Sequence, residues 1–381
     1  MASGFFLILF CMIFFVLLCC FYVASRIFSL FPMKKSRIWA ALTGILMLLF
    51  FVLGFGKSII PMPDSLRDVL GAACVCWLGV FLYLILCFLA SDFAVLLGRL
   101  LRLIPKSSAK KARRCGSTIA LALALAVSGY GFYHAGDVQT KEYTISLAEG
   151  AEDELVIALV SDLHLGATGA EARLPDIVAA INAMEPDAVL IAGDLFDSGL
   201  AAVTDPDRAA ELFRQIEAPL GVYACLGNHD YGSSVAEARE YLAGCGITLL
   251  LDEQVTVDGR FVLAGRLDSS PIGGDEWYRV EPEKVLAGIS EGLPVIVMDH
   301  NPANIREYDG LADLVVSGHT HRGQVWPGGL LTGALYAVDY GYYRAGEGSP
   351  HVVVTSGAGT WGPPMRVGTD SEVVKLILEL P

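Results

Sequence analysis

Five short segments carry residues that can do chemistry together. They read Ser161-Asp162-Leu163-His164, Gly193-Asp194-Leu195-Phe196-Asp197, Gly227-Asn228-His229-Asp230, Asp299-His300-Asn301-Pro302 and Ser317-Gly318-His319-Thr320-His321. Carboxylate oxygen and imidazole nitrogen together suit divalent ions such as Mn, Fe or Zn. Asp162-x-His164 and His319-x-His321 each place two ligands two residues apart, so in extended backbone both side chains face the same way. Asp162, His164, Asp194, Asn228, His300, His319 and His321 are too many ligands for one tetrahedral ion. They suit two ions about 3.5–4 Å apart that share a carboxylate. Such a pair clamps a phosphoryl oxygen and acidifies the water between its members, so the chemistry expected is hydrolysis of a phosphate ester. A lone histidine at a strand end is more often a hydrogen-bonded loop residue, and that reading suffices for His134 and His351, which have no evident partners in the sequence.

Each segment follows a short apolar run: 155–160, 188–192, 221–226, 295–298 and 314–316. Continuous runs of this length read as strands buried on both faces. Open α/β sheets gather their ligands at strand C-termini, so five loops converge on one edge. Helical spacing occupies 174–184, 208–216 and 235–242, and further strands are expected at 248–257, 261–264, 335–338, 351–355 and 373–378. Strand–helix alternation followed mostly by strands predicts an α/β layered domain with mixed sheets over 154–381. Residues 137–153 read as an acidic linker with room for one edge strand.

What precedes this domain is of another kind. The chain has 381 residues, 54% hydrophobic and 18% charged, with a mean hydropathy of +0.53, unusual for a wholly soluble protein. Residues 1–134 hold thirteen Lys/Arg against three Asp/Glu, a net of +10, and residues 135–381 hold fourteen against thirty-eight, a net of −24. A domain that acidic repels phosphodiester backbones, so nucleic acid is excluded as a partner. Residues 1–136 read as a transmembrane region with four spans, at about 5–25, 38–56, 69–91 and 116–136. The first lacks a basic start and has too long an apolar core for a signal peptide. Basic residues crowd the first loop (Arg26, Lys34, Lys35, Arg37) and the third (Arg99 to Arg114), whereas the second balances Lys57 and Arg67 against Asp64 and Asp68. Short basic loops stay cytoplasmic, which places both termini and the acidic domain outside the cytoplasm. Asp92 is the only candidate intramembrane charge and reads as a helix-end carboxylate reaching the interface, so the spans are expected to anchor rather than transport. Cys225 and Cys245 fall in the domain and are expected as buried free thiols rather than a disulfide.

Taken together, the five segments resemble the pattern of the calcineurin-like metallophosphoesterases: Asp-x-His, Gly-Asp-x-x-Asp, Gly-Asn-His-Asp/Glu, a separate His, then Gly-His-x-His, in order across 154–323. The resemblance implies a four-layer αββα sandwich with metals at the strand ends. It implies that Asp162, His164 and His321 bind a first metal, that Asp194 bridges, and that Asn228, His300 and His319 bind a second. His229 becomes the proton donor to the leaving group, oriented by its neighbour Asp230. Asp197 either supports a ligand or caps a turn. The Ser-Asp-Leu-His-Leu-Gly wording, the run from Gly318 to Gln324 and the tail Gly357-Ala-Gly-Thr-Trp-Gly-Pro-Pro-Met-Arg366 are similar to a bacterial membrane-associated phosphodiesterase branch that includes UDP-2,3-diacylglucosamine hydrolase-like proteins. Arg322 stands where that branch has Gly, and Thr355-Ser356 where it often has Ser-Arg, so substrate choice is where this chain departs. Arg322 and Arg366 each suit either a bidentate contact to substrate phosphate or a structural salt bridge. The function implied is a membrane-anchored phosphoesterase acting on a phosphodiester or phosphomonoester, lipid-linked or otherwise held at the membrane surface. The alternative is a non-catalytic receptor or assembly factor with a structural metal site. His229 separates them, because a structural site has no use for it.

Overall fold

Four apolar stretches near the N-terminus fold as helices: α1 (Ala2–Phe28), α2 (Ser36–Phe55), α3 (Asp64–Leu100) and α4 (Ala109–His134). The structure is a computed structural model that describes all residues except 1, 32–35, 57–59, 148–152, 233–234, 271, 273–277 and 291. Lys34, Lys35 and Lys57, which entered the loop-charge argument, lie outside the described residues. The chain divides into two units, residues 1–130 and 131–381. Each of the four helices is long and apolar enough to cross a membrane. Side chains such as Phe10, Leu46, Phe93 and Leu97 lie exposed on their surfaces, as lipid-facing groups would.

The third helix departs from its expected span of 69–91. Nothing in Asp92–Leu100 breaks a helix, so α3 runs on for 37 residues, about 55 Å at 1.5 Å per residue. Asp92 is therefore inside a helix, not at its end. Arg26 of α1 lies 2.8 Å from its carboxylate and the Tyr22 hydroxyl donates to it at 2.9 Å. This pairing offsets part of the cost of setting a carboxylate, here 30% exposed, among apolar helices.

The second unit is built on two six-stranded sheets. The first runs in the order β1 (Val138–Ser146), β12 (Ser371–Leu380), β2 (Asp153–Val160), β3 (Ala188–Ala192), β4 (Val222–Cys225), β5 (Ile247–Leu249). The other runs β10 (Gly341–Tyr343), β11 (His351–Val354), β9 (Leu314–Ser317), β8 (Val295–Met298), β7 (Phe261–Gly265), β6 (Glu253–Val257). The continuous apolar runs become strands buried on both faces because layers cover both sides. Between the sheets pack Ile157, Leu159, Leu190, Phe261, Ile296, Val316 and Leu376. Helices α5 (Ala170–Asn182), α6 (Pro206–Phe213) and α7 (Val235–Gly244) cover the outer face of the first sheet through Leu174, Ile177, Phe213 and Leu242. The short helix α8 (Pro282–Val285) and a 3-10 segment Pro302–Tyr308 cover the second through Val285, Ile305 and Tyr308. This is the αββα sandwich with mixed sheets that the sequence predicts.

Two expected strands differ. The run 248–257 is split into β5 and β6, which belong to different sheets. The chain turns at Asp252, whose φ is 53° and whose carboxylate accepts from Arg266 at 2.7 Å and from the Leu267 amide at 3.1 Å. The run 335–338 forms no strand; Leu335 instead ends helix α9 (Gly328–Leu335), because a short apolar run does not by itself declare its period. Cys225 and Cys245 are buried free thiols.

The edge strand that the acidic segment had room for is β1, in parallel register with β12 from Val138↔Ser371 to Ser146↔Glu379. The last turn of α4 belongs to this unit and is fastened to it. The Arg366 amide donates to the Gly131 carbonyl at 2.9 Å and the Ser371 hydroxyl to the Ala135 carbonyl at 3.0 Å. His134, partnerless by sequence, sits 2.9 Å from Asp370, which Lys141 also approaches at 3.4 Å. The partner could not be foreseen because 236 positions separate the pair. Burial works to raise the Asp370 pKa, but the hydrogen bonds and charges of His134 and Lys141 outweigh it and hold the carboxyl below its usual range. The stabilisation is then present above the unfolded-state value near pH 4 and is lost as pH falls through the lower native value. Because the group is partly exposed, Asp370→Asn is expected to cost about 0.5–1 kcal/mol at neutral pH. That deficit should vanish in strong acid, read as the difference in thermal midpoint between the two proteins in detergent.

Candidate metal centre

Both sheets send their strand ends to one place. Ser161–His164 follow β2, Gly193–Asp194 follow β3 and Gly227–His229 follow β4, all from the first sheet; His300 follows β8 and His319–His321 follow β9, from the second. The backbone there is bent sharply. Asp162, His164, Asp194, His319 and His321 all have left-handed φ, between 48° and 71°. Such angles are strained for residues with a Cβ and persist only where surrounding contacts impose them. The neighbouring glycines permit the crowding. A Cβ on Gly227 would overlap the Asp194 carboxylate, and one on Gly318 would overlap Ser161 and Asp162.

Two buried donor sets result. Asp162, His164 and His321 form one, with His321 Nε2 3.3 Å from Asp162 Oδ1 and 3.1 Å from His164 Nε2. Asp162, Asp194 and His300 form the other, with His300 Nε2 3.2 Å from Asp194 Oδ2. Asp162 is common to both, and Asp194 also lies 3.7 Å from His164 Nε2. Asn228 and His319 complete the gathering as a pair, Nδ1 to Oδ1 at 2.8 Å, and the His319 amide reaches Asp162 at 3.1 Å. The structure thus brings all seven expected ligands to one centre.

The donors fit a cation. Buried carboxylate oxygens and imidazole nitrogens are the donor types that divalent ions take, and His164 Nδ1 and His300 Nε2 approach carboxylates at 3.4 Å and 3.2 Å. His300 Nδ1 faces the Ala192 carbonyl at 2.8 Å, an acceptor only, so Nδ1 donates and Nε2 turns to Asp194. Burial pushes the Asp162 carboxyl up. Burial works the same way on Asp194, but the charge and hydrogen bond of His300 prevail and hold it down. The same two carboxylates lift His300 well above the usual imidazole range against its burial. Burial, then the neighbouring His300 charge, lowers His319 to about 4, and burial keeps His321 neutral. Burial thus favours the neutral, ligating form at His319 and His321.

Around these sets the second layer of contacts departs from expectation in three places. Asp230 does not touch the His229 ring; its buried carboxylate accepts from the amides of Phe196 and Gly227, and so ties two ligand loops together. The His229 ring is held instead by the Asp197 carbonyl, 2.9 Å from Nδ1. The Asp197 carboxylate stands 3.4 Å from His164 Nδ1, so Asp197 supports a candidate ligand. Arg366 does not face a substrate. It is fully buried and donates to the carbonyls of His321, Ser356, Gly357 and Gly359. Arg322 lays its guanidinium over the Tyr340 ring at 4.2 Å. Neither arginine forms the salt bridge that was the alternative, among the described residues.

Sequence reasoning missed what encloses the centre. Gln324 donates to the carbonyls of Trp361 and Pro363 and accepts from the Trp361 amide, which explains why the Gly-Gln run and the Gly-rich tail occur together. A cleft of about 480 Å³ opens over His164, Asp194, Asn228, His229, His319 and His321. Its outer wall is apolar, from Ile272, Tyr336 and Trp361. A larger hollow of about 940 Å³ lies by Asp313, Arg344 and His351, at the opposite ends of β9 and β11, and holds none of these donors.

The chain belongs to the calcineurin-like phosphoesterase family, whose model matches residues 155–323. A transmembrane protein with metallophosphoesterase domain from Danio rerio is 31% identical over 369 residues, 91% of this chain and 82% of that one. An uncharacterized metallophosphoesterase from Aquifex aeolicus is 30% identical, over 66% of this chain and 96% of its own length. Among solved structures, TT1561 of Thermus thermophilus aligns over 54% of this chain and 92% of that one, with a TM-score of 0.37 and 17% identity.

Gly227→Ala is expected to push the Asp194 carboxylate aside and weaken metal affinity roughly ten-fold or more, with the far-ultraviolet circular dichroism retained. Metal titration of the purified protein, followed by elemental analysis, checks it.

Proposed function

We propose that this chain is a membrane-anchored, metal-dependent phosphoesterase acting on a phosphodiester or phosphomonoester of a lipid or other substrate held at the bilayer surface. Two divalent cations (Mn, Fe or Zn) would be held by Asp162, His164 and His321 on one side and by Asn228, His300 and His319 on the other, with Asp194 between. Bound there, they supply a hydroxide at neutral pH and offset charge on the phosphoryl oxygens.

The position of His229 carries the proposal. It lies at the cleft, its ring 5.0 Å from that of His164, outside the two fully buried donor sets; its one shared grouping is a half-buried one with His164 and Asp197. With Nδ1–H donated to the Asp197 carbonyl, Nε2 is the nitrogen left toward the cleft; in the doubly protonated ring it would carry the proton that passes to the leaving oxygen as the P–O bond breaks, leaving the neutral imidazole. The Asp230 carboxylate keeps the loops after β3 and β4 in register, so His229 and Asp194 hold their spacing; the His229 amide itself donates to Asp194 at 2.8 Å. The Trp361 ring lies 6.0 Å from that of His229, on the wall of the same cleft.

The four span candidates favour a substrate at the membrane, and the loop charges favour a domain outside the cytoplasm. A cytoplasmic nucleotide-linked lipid A precursor is disfavoured on that orientation. A reporter phosphatase fused after Pro381 should be active, and a silent fusion would reverse the orientation. A non-catalytic receptor would need the buried sets but not His229. His229→Asn is expected to lower hydrolysis of chromogenic phosphate esters by about 10²–10⁴-fold while metal content stays at the parent value. Unchanged turnover would refute the assignment.

A further inference from the structure

The apolar wall of the cleft, with Leu331, Leu335 and Trp361, continues outward as a shelf. From Gln324 to Val338 no residue is charged, within a region of net charge −24. Helix α9 forms the middle of this stretch and buries none of its residues. Trp326, Leu330, Leu331 and Leu335 are 57%, 71%, 63% and 69% exposed, and Trp361, which Gln324 fastens to the same segment, is 55% exposed. A single exposed leucine needs no explanation. Five large apolar side chains on one rim, two of them tryptophan, mark an interaction surface.

The place of the shelf in its own unit indicates what covers it. The Trp326 amide donates to the Val367 carbonyl at 2.8 Å, and the adjacent Arg366 amide donates to the Gly131 carbonyl in the last turn of α4 at 2.9 Å. Two hydrogen bonds thus tie the shelf to the point where the chain enters this unit from an apolar helix of membrane-spanning length. Only residues 135–137 separate that helix from β1. The missing charge fits the same occupant. A protein partner of this acidic unit would offer basic groups, and the shelf has no carboxylate to meet them. Tryptophan favours the bilayer interface, and a short helix with exposed leucines lies in that plane.

We propose that the shelf docks on the lipid bilayer, with Trp326, Leu330, Leu331 and Leu335 in its interfacial region, so that the cleft opens at headgroup level to a lipid phosphoester. The substrate half of this statement rests on the proposed phosphoesterase reading; the docking half does not.

The test uses the full chain in nanodiscs of phosphatidylcholine and phosphatidylglycerol. A benzophenone side chain introduced at Leu330 should yield lipid adducts on illumination, and one at Glu347 should yield none. Absence of lipid adducts at Leu330, or capture of a second polypeptide there, overturns the proposal. Independently, doxyl-labelled lipid should quench an emission component that Trp326→Phe removes. Quenching of that component by aqueous iodide instead also overturns it. Neither signal depends on turnover, so both should persist in His229→Asn, and a failed hydrolysis assay is told apart from failed docking.

Discussion

Asp162 and Asp194 are buried side by side at the floor of the cleft, both within reach of His164 and His300. Two buried carboxylates at such range repel each other and lose their hydration, and each imidazole near them can answer with only one proton. Burial forces Asp162 toward its neutral form while His300 is driven toward its charged one. Imidazole protons answer them only in part, His164 approaching Asp194 at 3.7 Å and His300 at 3.2 Å. Multivalent positive charge does satisfy them. The rest of the unit reads as apparatus for holding this conflict in place.

That apparatus is mostly backbone. Left-handed angles at five of the ligands are kept by contacts from both sheets, and the glycines beside them let two strands of chain pass closer than any Cβ allows. Arg366 works in the same sense. Four carbonyls from the loops after β9 and β11 converge on one guanidinium, so the His321 loop is pinned from below by charge rather than by packing. Asp299 does likewise beside His300: it takes Arg279 and the Tyr308 hydroxyl, and so anchors the end of β8.

Much of this was legible in the sequence, for definite reasons. Ligand types, glycine punctuation and apolar strand runs are local signals, and they pointed to seven side chains that the fold gathers at one edge and to the layered sandwich. Contacts between distant segments are not local. Asp230 stands next to His229 in the chain, yet its carboxylate serves the Phe196 and Gly227 amides, while the orienting group is a carbonyl that no side-chain pattern advertises. Arg366 suited a phosphate contact or a salt bridge alike in the sequence; only the folded loops show it enclosed by carbonyls. The split at Asp252 and the helical fate of Leu335 failed for the same reason, since short apolar runs take their period from what covers them.

The pairing of β12 between β1 and β2 has a consequence for how the chain is made. The slot between the first two strands of the unit is filled by residues 371–380, which leave the ribosome after both sheets' other strands. Until then β2 keeps an unpaired apolar edge, the kind of surface that recruits foreign strands. Closing so long a loop is entropically slow. A chain whose four span candidates enter lipid first would wait for that closure at a fixed address, with its neighbours held apart, rather than adrift among other unfinished copies.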